Sequence, residues 1–289
     1  MRKQVKYNLP AQLIDMGGVP VKQAIPTEKV PYFDPFLILH HAEMQAYSDR
    51  PARGQGIGLH PHRGFSPVTF VVEGEVHHRD SFGNNQIAQA GEVQWLNAGA
   101  GIVHSERPSE ALAAADGKQE IIQLWINSPA ENKLDIPAYY HLPKGEMPLF
   151  TSVDAHLETS LIAGTYLGET TKIKNHFPMT ILWGKGKKGA NETYEINEDF
   201  ATALYLIKGQ AQLKGYGIVE AESFVTFQEG GSTIEITLLE DSLFLILSAQ
   251  AIKEKVEHYG PYVMNNQTQI LEAMRDYQMG KMGILIEDD

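Results

Sequence analysis

The chain repeats one pattern of strand and glycine, and this repeat constrains the fold more than any other feature. Residues 68–73 are rich in β-branched and aromatic side chains and are followed by Gly74, and residues 201–208 are followed in the same way by Gly209. Apolar runs that stop at a glycine are typical of β-strands that end in a turn or bulge. Because further strand-like runs follow in both halves, the repeat predicts two copies of one β-sandwich or barrel.

The length supports two domains of one class. A chain of 289 residues suits two domains of about 100–150 residues each. The segment 137–148, rich in proline and turn residues, is typical of a linker. We therefore predict an all-β protein with two tandem barrels, an N-terminal domain over residues 1–140 and a C-terminal domain over residues 141–289.

The C-terminal region contains the strongest helix signal, from Thr268 to Met279. Thr268 is a suitable N-cap, and Gly280 is a suitable residue just beyond the C-terminus of the helix. The predicted apolar stripe consists of Ile270, Leu271, Met274 and Tyr277. This stripe predicts a short helix that packs on a barrel.

Composition excludes several classes of function. The chain has no cysteine, which excludes disulfides and thiolate chemistry and favours a cytoplasmic location. The net charge is −12, and neither half is basic, so the electrostatic footprint of a nucleic-acid-binding or membrane-surface protein is missing. The sequence also lacks a run of about 20 apolar residues. We expect neither nucleic acid nor a membrane as a partner.

Two short pairs of side chains point to a metal site. His60 and His62 form an H-P-H pair, and His104 and Glu106 form an H-S-E pair. Residues two apart on a strand point to the same face, so each pair directs both side chains to one place. Three imidazoles and one carboxylate suit a divalent transition metal and leave coordination positions open, as a catalytic site requires. If that face is the barrel interior, the two pairs meet there.

Other histidines give weaker signals. A lone histidine in a strand is more often structural or exposed than a ligand. His77 and His78 are adjacent, so at most one of them shares a face with the ligands, and we interpret both as hairpin residues. His40 is a candidate for orienting a ligand. No phosphate-binding loop, nucleophile elbow or H-E-x-x-H motif offers another catalytic signature.

The chain resembles the pirins, a family of the bicupin superfamily, over most of its length. The resemblance is carried by F-D-P-F-L-I-L at 33–39, H-P-H-R-G-F at 60–65, G-E-V-Q-W at 91–95, G-A-G-I-V-H-S-E at 99–106, Q-L-W-I-N at 123–127 and Y-G-P-Y-V-M-N at 259–265. Three positions depart from the family pattern: Ser66, His40 and Ala100. The last two affect the choice of substrate and the tuning of the ligands more than metal binding.

The resemblance implies a fold, a site and an activity. It implies two cupin barrels (jelly rolls, or double-stranded β-helices) with a short C-terminal helix, and a metal-free second barrel. It places the metal on the positions of His60, His62, His104 and Glu106. Iron(II) is the implied metal, and Mn, Co, Ni, Cu or Zn are alternatives for the same ligands.

The implied activity is that of bacterial pirins that oxidise flavonols, a quercetin 2,3-dioxygenase reaction with a flavonol and O2 as substrates. Glu106 would stay a ligand or act as a general base. A planar aromatic substrate requires an apolar slot, and Phe65, Trp95 and Trp125 are candidates for its walls. Two alternatives remain open: a non-catalytic, redox-sensing iron protein that binds a protein partner, and another cupin chemistry on the same fold.

Overall fold

A computed structural model describes residues 1–287 of the chain, and β-strands dominate it. Up to residue 142 the strands are β1 (Val5–Pro10), β2 (Gln12–Met16), β3 (Val19–Ile25), β4 (Phe36–Gln45), β5 (Ile57–His62), β6 (Phe65–Glu73), β7 (Glu75–Asp80), β8 (Asn85–Gln89), β9 (Val93–Asn97), β10 (Ile102–Arg107), β11 (Lys118–Asn127) and β12 (Ala138–Leu142). The later strands are β13 (Leu149–Thr151), β14 (Leu157–Tyr166), β15 (Glu169–Thr170), β16 (Met179–Gly186), β17 (Asn191–Glu195), β18 (Ala201–Lys208), β19 (Gln210–Leu213), β20 (Gly217–Glu220), β21 (Ser223–Phe227), β22 (Thr233–Leu238), β23 (Ser242–Ala249), β24 (Glu257–Tyr259) and β25 (Tyr262–Met264). The helices are α1 (Glu110–Ala114) and α2 (Gln267–Gln278), with 3₁₀ turns at Ala52–Gly54 and Ala130–Asn132.

The chain forms two compact units. One contains residues 14–21, 36–144 and the described residues from 252 onward, and we call it the histidine unit. The other contains residues 1–13, 22–35 and 145–251, and we call it the apolar unit. The predicted domains, residues 1–140 and residues 141–289, stay a prediction.

Two antiparallel sheets build the histidine unit. The larger sheet contains the strand order β12-β9-β6-β11-β4, and the smaller has the order β5-β10-β7-β8. Apolar side chains of both sheets pack together, as Val71 of β6 does with Val76 of β7 and Ala88 of β8. The H-P-H pair lies on β5 and the H-S-E pair lies on β10, and these two strands are hydrogen-bonded neighbours.

The apolar unit repeats this plan. Its larger sheet contains the order β21-β18-β23-β16, which corresponds to β9-β6-β11-β4, and its smaller sheet has the order β17-β22-β19-β20. The predicted two-copy β architecture is therefore confirmed. A large apolar cluster that includes Tyr194, Ile236 and Phe244 fills the interior.

The repeated glycines mark the corner at which the chain passes from one sheet to the other. Gly74 separates β6 from β7, and Gly209 separates β18 from β19. Both have positive φ, 75° and 84°. A Cβ atom on Gly74 would lie 2.1 Å from the carbonyl oxygen of Lys118, and one on Gly209 would lie 2.3 Å from Oγ of Ser242. Glycine is required at both corners for conformation and for space.

The predicted C-terminal helix is confirmed as α2, but its details differ. Asn266, rather than Thr268, is the N-cap, since its side chain accepts a hydrogen bond from the backbone N–H of Gln269 at 3.0 Å. Gly280 follows the helix with φ 72°, as predicted. The packed face contains Ile270, Ala273 and Met274. Leu271 and Tyr277, predicted to belong to the stripe, are exposed.

Among residues 1–287, no helix has the length and apolar character needed to cross a bilayer. The cytoplasmic location expected from the sequence stays a prediction.

Candidate metal centre

Three imidazoles converge inside the histidine unit. His60 lies directly opposite His104 in the pairing of β5 with β10, and His62 lies two residues further along β5. The Nε2 atom of His60 is 3.0 Å from Nε2 of His62 and 2.9 Å from Nε2 of His104. One nitrogen from each ring lies within 4.8 Å of the other two. His62 and His104 are each only 2% exposed.

The tautomer of His60 is set by the backbone. Its Nδ1 lies 2.8 Å from the carbonyl oxygen of Gly58, which can only accept a hydrogen bond. Nδ1 therefore carries the proton, and Nε2 presents a lone pair to the other two rings. A neutral imidazole with a free Nε2 is the form that binds divalent transition metals, so the donor set fits such an ion.

Burial keeps the other two rings neutral. It lowers the pKa of His62 well below its usual value, and the neighbouring His60 lowers it further. It also lowers the pKa of His104, again with a contribution from His60. Water is largely excluded from both rings, so their charged forms are disfavoured.

Glu106 lies on the same strand as His104, and both of its carboxylate oxygens are held by side chains. Oε1 accepts a hydrogen bond from the hydroxyl of Thr69 at 2.7 Å, and Oε2 accepts one from the amide of Gln123 at 2.8 Å. Thr69 and Gln123 are direct cross-strand neighbours on β6 and β11. Among residues 1–287, the group of side chains whose ligand atoms lie close enough to hold one ion contains the three histidines but not Glu106. Its role as the fourth ligand stays a prediction.

Two of the three predicted wall residues contact the cluster. The ring of Trp125 lies 5.3 Å from that of His62 and 4.3 Å from that of Phe65, and Phe65 is itself 5.0 Å from His62. The indole N–H of Trp125 donates to Oε1 of Gln123 at 3.1 Å. This bond orients the amide of Gln123 so that its NH2 group faces Glu106.

The remaining predicted residues lie on neighbouring strands. Trp95 on β9 is 2% exposed, and its indole donates to Asn97 at 2.7 Å, so its hydrogen-bond partner is outside the histidine cluster. His40 on β4 is half-buried directly opposite Gln123, so it shares a sheet face with the residue that holds Glu106. Burial lowers the pKa of His40 to about 4.

Two buried basic side chains anchor the turn that follows His62. The guanidinium of Arg63 donates to Asp276 of α2 at 3.1 Å. The Nζ group of Lys133 donates to the carbonyl oxygens of Gly64 at 2.7 Å and Val263 at 3.0 Å. Burial lowers the pKa of Lys133 to about 7. The C-terminal segment of the histidine unit therefore supports the strand that carries two of the three imidazoles.

Sequence reasoning missed the partners of the candidate ligands. Thr69 and Gln123, which hold Glu106, give no spacing signal, because their approach depends on strand register. His78, interpreted as a hairpin residue, does lie in a hairpin strand, but its ring is buried 5.2 Å from that of His104. Asp80, which lies opposite His104 in the pairing of β10 with β7, belongs to no motif in the sequence.

Comparison with known proteins identifies the class that this fold and site define. A family model described as Pirin matches residues 18–126, and one described as the Pirin C-terminal cupin domain matches residues 184–283. The two units are thus two cupin domains, as the resemblance implied. The chain belongs to the pirin family.

Particular relatives support this assignment. Pirin-like protein 2 of Arabidopsis thaliana is 31% identical over 274 residues, which cover 92% of this chain and 81% of the relative. A crystal structure of quercetin 2,3-dioxygenase from Acinetobacter baumannii is 30% identical with a TM-score of 0.90, covering 99% of this chain and 100% of that one. The bacterial pirin YhhW from Escherichia coli, in complex with nickel(II), shares the fold at 21% identity with a TM-score of 0.69, covering 86% and 100% of the two chains.

Proposed function

We propose that this pirin is a metal-dependent dioxygenase that cleaves flavonols such as quercetin with O2. The observation that carries the proposal is the convergence of three buried imidazole nitrogens, from His60, His62 and His104, inside one cupin barrel. The similarity to the Acinetobacter quercetin 2,3-dioxygenase, which extends over almost the whole chain, supports the same reaction class.

The proposed ligands are these three histidines and Glu106. Imidazole and carboxylate donors accept several divalent ions, and Mn, Co, Ni, Cu and Zn are all compatible with them. The resemblance to pirins favours iron(II), as does the requirement for a metal that reacts with dioxygen. When bound, such an ion supplies Lewis acidity toward a phenolate oxygen and an open coordination position.

The side chains around the ligands provide a proton acceptor. The two oxygens of the Glu106 side chain accept hydrogen bonds from Thr69 and Gln123, and these bonds fix the orientation of the group beside the proposed ligands. A carboxylate at that place either completes the ligand set or accepts the proton of the flavonol 3-hydroxyl group.

An aromatic wall suits a planar substrate. Phe65 and Trp125 pack against one another and against His62. A flat ring system that stacks on this wall would bring its oxygen substituents toward the histidines. Trp95 is proposed as a further wall residue on the strength of the sequence pattern alone.

The test is the aerobic conversion of quercetin by the iron(II)-loaded protein, followed by the loss of flavonol absorbance and the release of carbon monoxide. We expect His104→Ala to abolish both signals, because it removes a proposed ligand. His156→Ala is the matched control, since His156 is an exposed histidine of the apolar unit, and it should keep the wild-type rate.

Unchanged turnover in His104→Ala would exclude this site. If wild-type protein loaded with Fe, Mn, Co, Ni or Cu fails to consume quercetin, the dioxygenase proposal is wrong. A protein that binds metal without turnover would instead fit the redox-sensing alternative.

A further inference from the structure

Three buried side chains form a line that ends at one of the proposed ligands. Nε2 of His78 lies 3.0 Å from Oδ2 of Asp80, and Nδ1 of His78 lies 3.4 Å from Nδ1 of His104. Each of the three residues is 2% exposed. We propose that Asp80 and His78 are positioning residues that fix the ring tautomer of His104 and so keep its Nε2 free for a metal. This inference rests on the metal centre of the proposed function, but it does not depend on the substrate.

The argument begins at Asp80, whose other contacts are all with hydrogen-bond donors. Its Oδ1 accepts hydrogen bonds from the backbone N–H groups of Phe82 at 2.9 Å and Asn84 at 3.1 Å. Its Oδ2 accepts one from the side-chain amide of Asn84 at 2.7 Å. A carboxylate surrounded in this way acts only as an acceptor, so Nε2 of His78 must carry the proton that it shares with Asp80.

The second step is the ring of His78. When Nε2 carries the only proton of the ring, Nδ1 has a lone pair, and that nitrogen faces Nδ1 of His104. The ring of Tyr139 stacks on His78 with centroids 4.3 Å apart and an angle of 12° between the planes, which holds His78 in this orientation. The pairing of β7 with β10, in which Asp80 lies opposite His104, fixes the separation of the two strands.

The third step is the tautomer of His104. Since Nδ1 of His78 accepts, Nδ1 of His104 donates, and the lone pair of His104 is left on Nε2. That nitrogen is the one that lies 2.9 Å from Nε2 of His60. Metal-binding histidines commonly donate their other ring N–H to a partner that sets the tautomer. For His60 the partner is the backbone carbonyl of Gly58, which a mutation cannot change. For His104 the partner is the side chain of His78, and a mutation at Asp80 can reverse the direction of the hydrogen bonds between these side chains.

The decisive variant is Asp80→Asn. The backbone N–H groups of Phe82 and Asn84 would hold the amide oxygen, and the side-chain amide of Asn84 would turn to present its oxygen, so the NH2 group of the new side chain would face His78. His78 would then carry its proton on Nδ1 and donate to His104, whose own proton would move to Nε2. We expect two results: a fall in cobalt(II) affinity of about 10–100-fold, the usual effect of losing such a partner, and a switch of the His104 tautomer.

Two measurements are needed. Titration of the protein with cobalt(II) alone gives the affinity. Long-range ¹H–¹⁵N correlation spectra of protein with ¹⁵N-labelled imidazoles, recorded without metal, give the tautomer of His104, which general destabilisation would not change. Glu120→Gln is the matched control, since Glu120 accepts from His41 at 2.9 Å in another buried histidine–carboxylate pair of the same unit. It should leave both readouts unchanged.

His78→Phe is the second variant, in case Asp80→Asn does not fold. It keeps an aromatic ring against Tyr139 and removes the acceptor for His104, so the same loss of cobalt(II) affinity is expected. Folded variants that keep the wild-type His104 tautomer and bind cobalt(II) within twofold of wild type would overturn the inference. Neither readout uses a flavonol. The cobalt(II) affinity and the His104 tautomer therefore test this inference even if the protein does not oxidise quercetin.

Discussion

The central strands of the two cupin units follow the same order, but their interiors differ in chemistry: one contains a histidine cluster and the other an apolar cluster. In the histidine unit, β5 and β10 of the smaller sheet direct His60, His62 and His104 into the barrel. In the apolar unit the corresponding strands β17 and β22 contribute Tyr194 and Ile236 to the apolar cluster. The same topology therefore forms around an interior of histidines or of apolar side chains, so the fold does not require the histidines.

Burial has the same physical effect in both interiors. It disfavours the charged form of any group that it encloses. In the histidine unit burial lowers the pKa of His62 and His104, and in the apolar unit it raises the pKa of Tyr194. Neutral tyrosine serves packing, whereas neutral histidine has a ring nitrogen that is able to bind a metal. The chemical difference between the units thus comes from the residue types on corresponding strands.

The largest expected contrast is in metal binding. His60→Ala should lower cobalt(II) affinity by at least about 100-fold, because the loss of a ligand exceeds the loss of its hydrogen-bond partner. Ile236→Ala, in the strand that corresponds to β10, should leave a cavity and cost about 2–5 kcal/mol of stability. Its cobalt(II) stoichiometry should stay that of wild type. Calorimetric titration and urea unfolding measure the two effects, and a loss of metal binding in Ile236→Ala would contradict the separation of roles.

The next contrast concerns the glycine corners, where the two units should behave alike. Gly74→Ala and Gly209→Ala should each destabilise the protein by at least about 1–3 kcal/mol, since positive φ is costly for alanine and both sites also lack space. Gly83 also has a positive φ of 89°, but a Cβ there meets nothing within 4 Å. Gly83→Ala should therefore cost less than either corner variant in urea unfolding. Equal costs at all three positions would show that the close contacts do not matter.

The smallest expected effect is the pH dependence that Tyr194 adds to the apolar unit. Its hydroxyl shares a 2.7 Å hydrogen bond with Thr159. Tyr194→Phe should cost about 1 kcal/mol near pH 7. Because burial raises the pKa of Tyr194, the folded state keeps a proton above pH 10 that the unfolded state loses. Wild-type stability therefore falls as pH rises from 10 to 11, and the difference from Tyr194→Phe should shrink. A difference that stays constant over this range, measured by urea unfolding, would exclude the expected titration.

Much of the fold and the core of the site were predictable from local patterns. Gly74 and Gly209 end equivalent strands, and their spacing in the chain reveals the duplication. The i and i+2 spacing of His60 and His62 places both side chains on one face of β5, as strand geometry requires. These features depend on residues that are close in the chain, so the sequence itself determines them.

The remainder depends on which strands become neighbours. The pairing of Val5–Pro10 with Ser223–Phe227 joins segments more than two hundred residues apart, and no local signal encodes it. The same holds for the relay from Asp80 through His78 to His104 and for the contacts of Thr69 and Gln123 with Glu106. The amino-acid sequence determined the repeat, the strands and the candidate ligands. Only the tertiary structure decided which polar groups hold those ligands, because hydrogen bonds between strands depend on register and burial rather than on spacing in the chain.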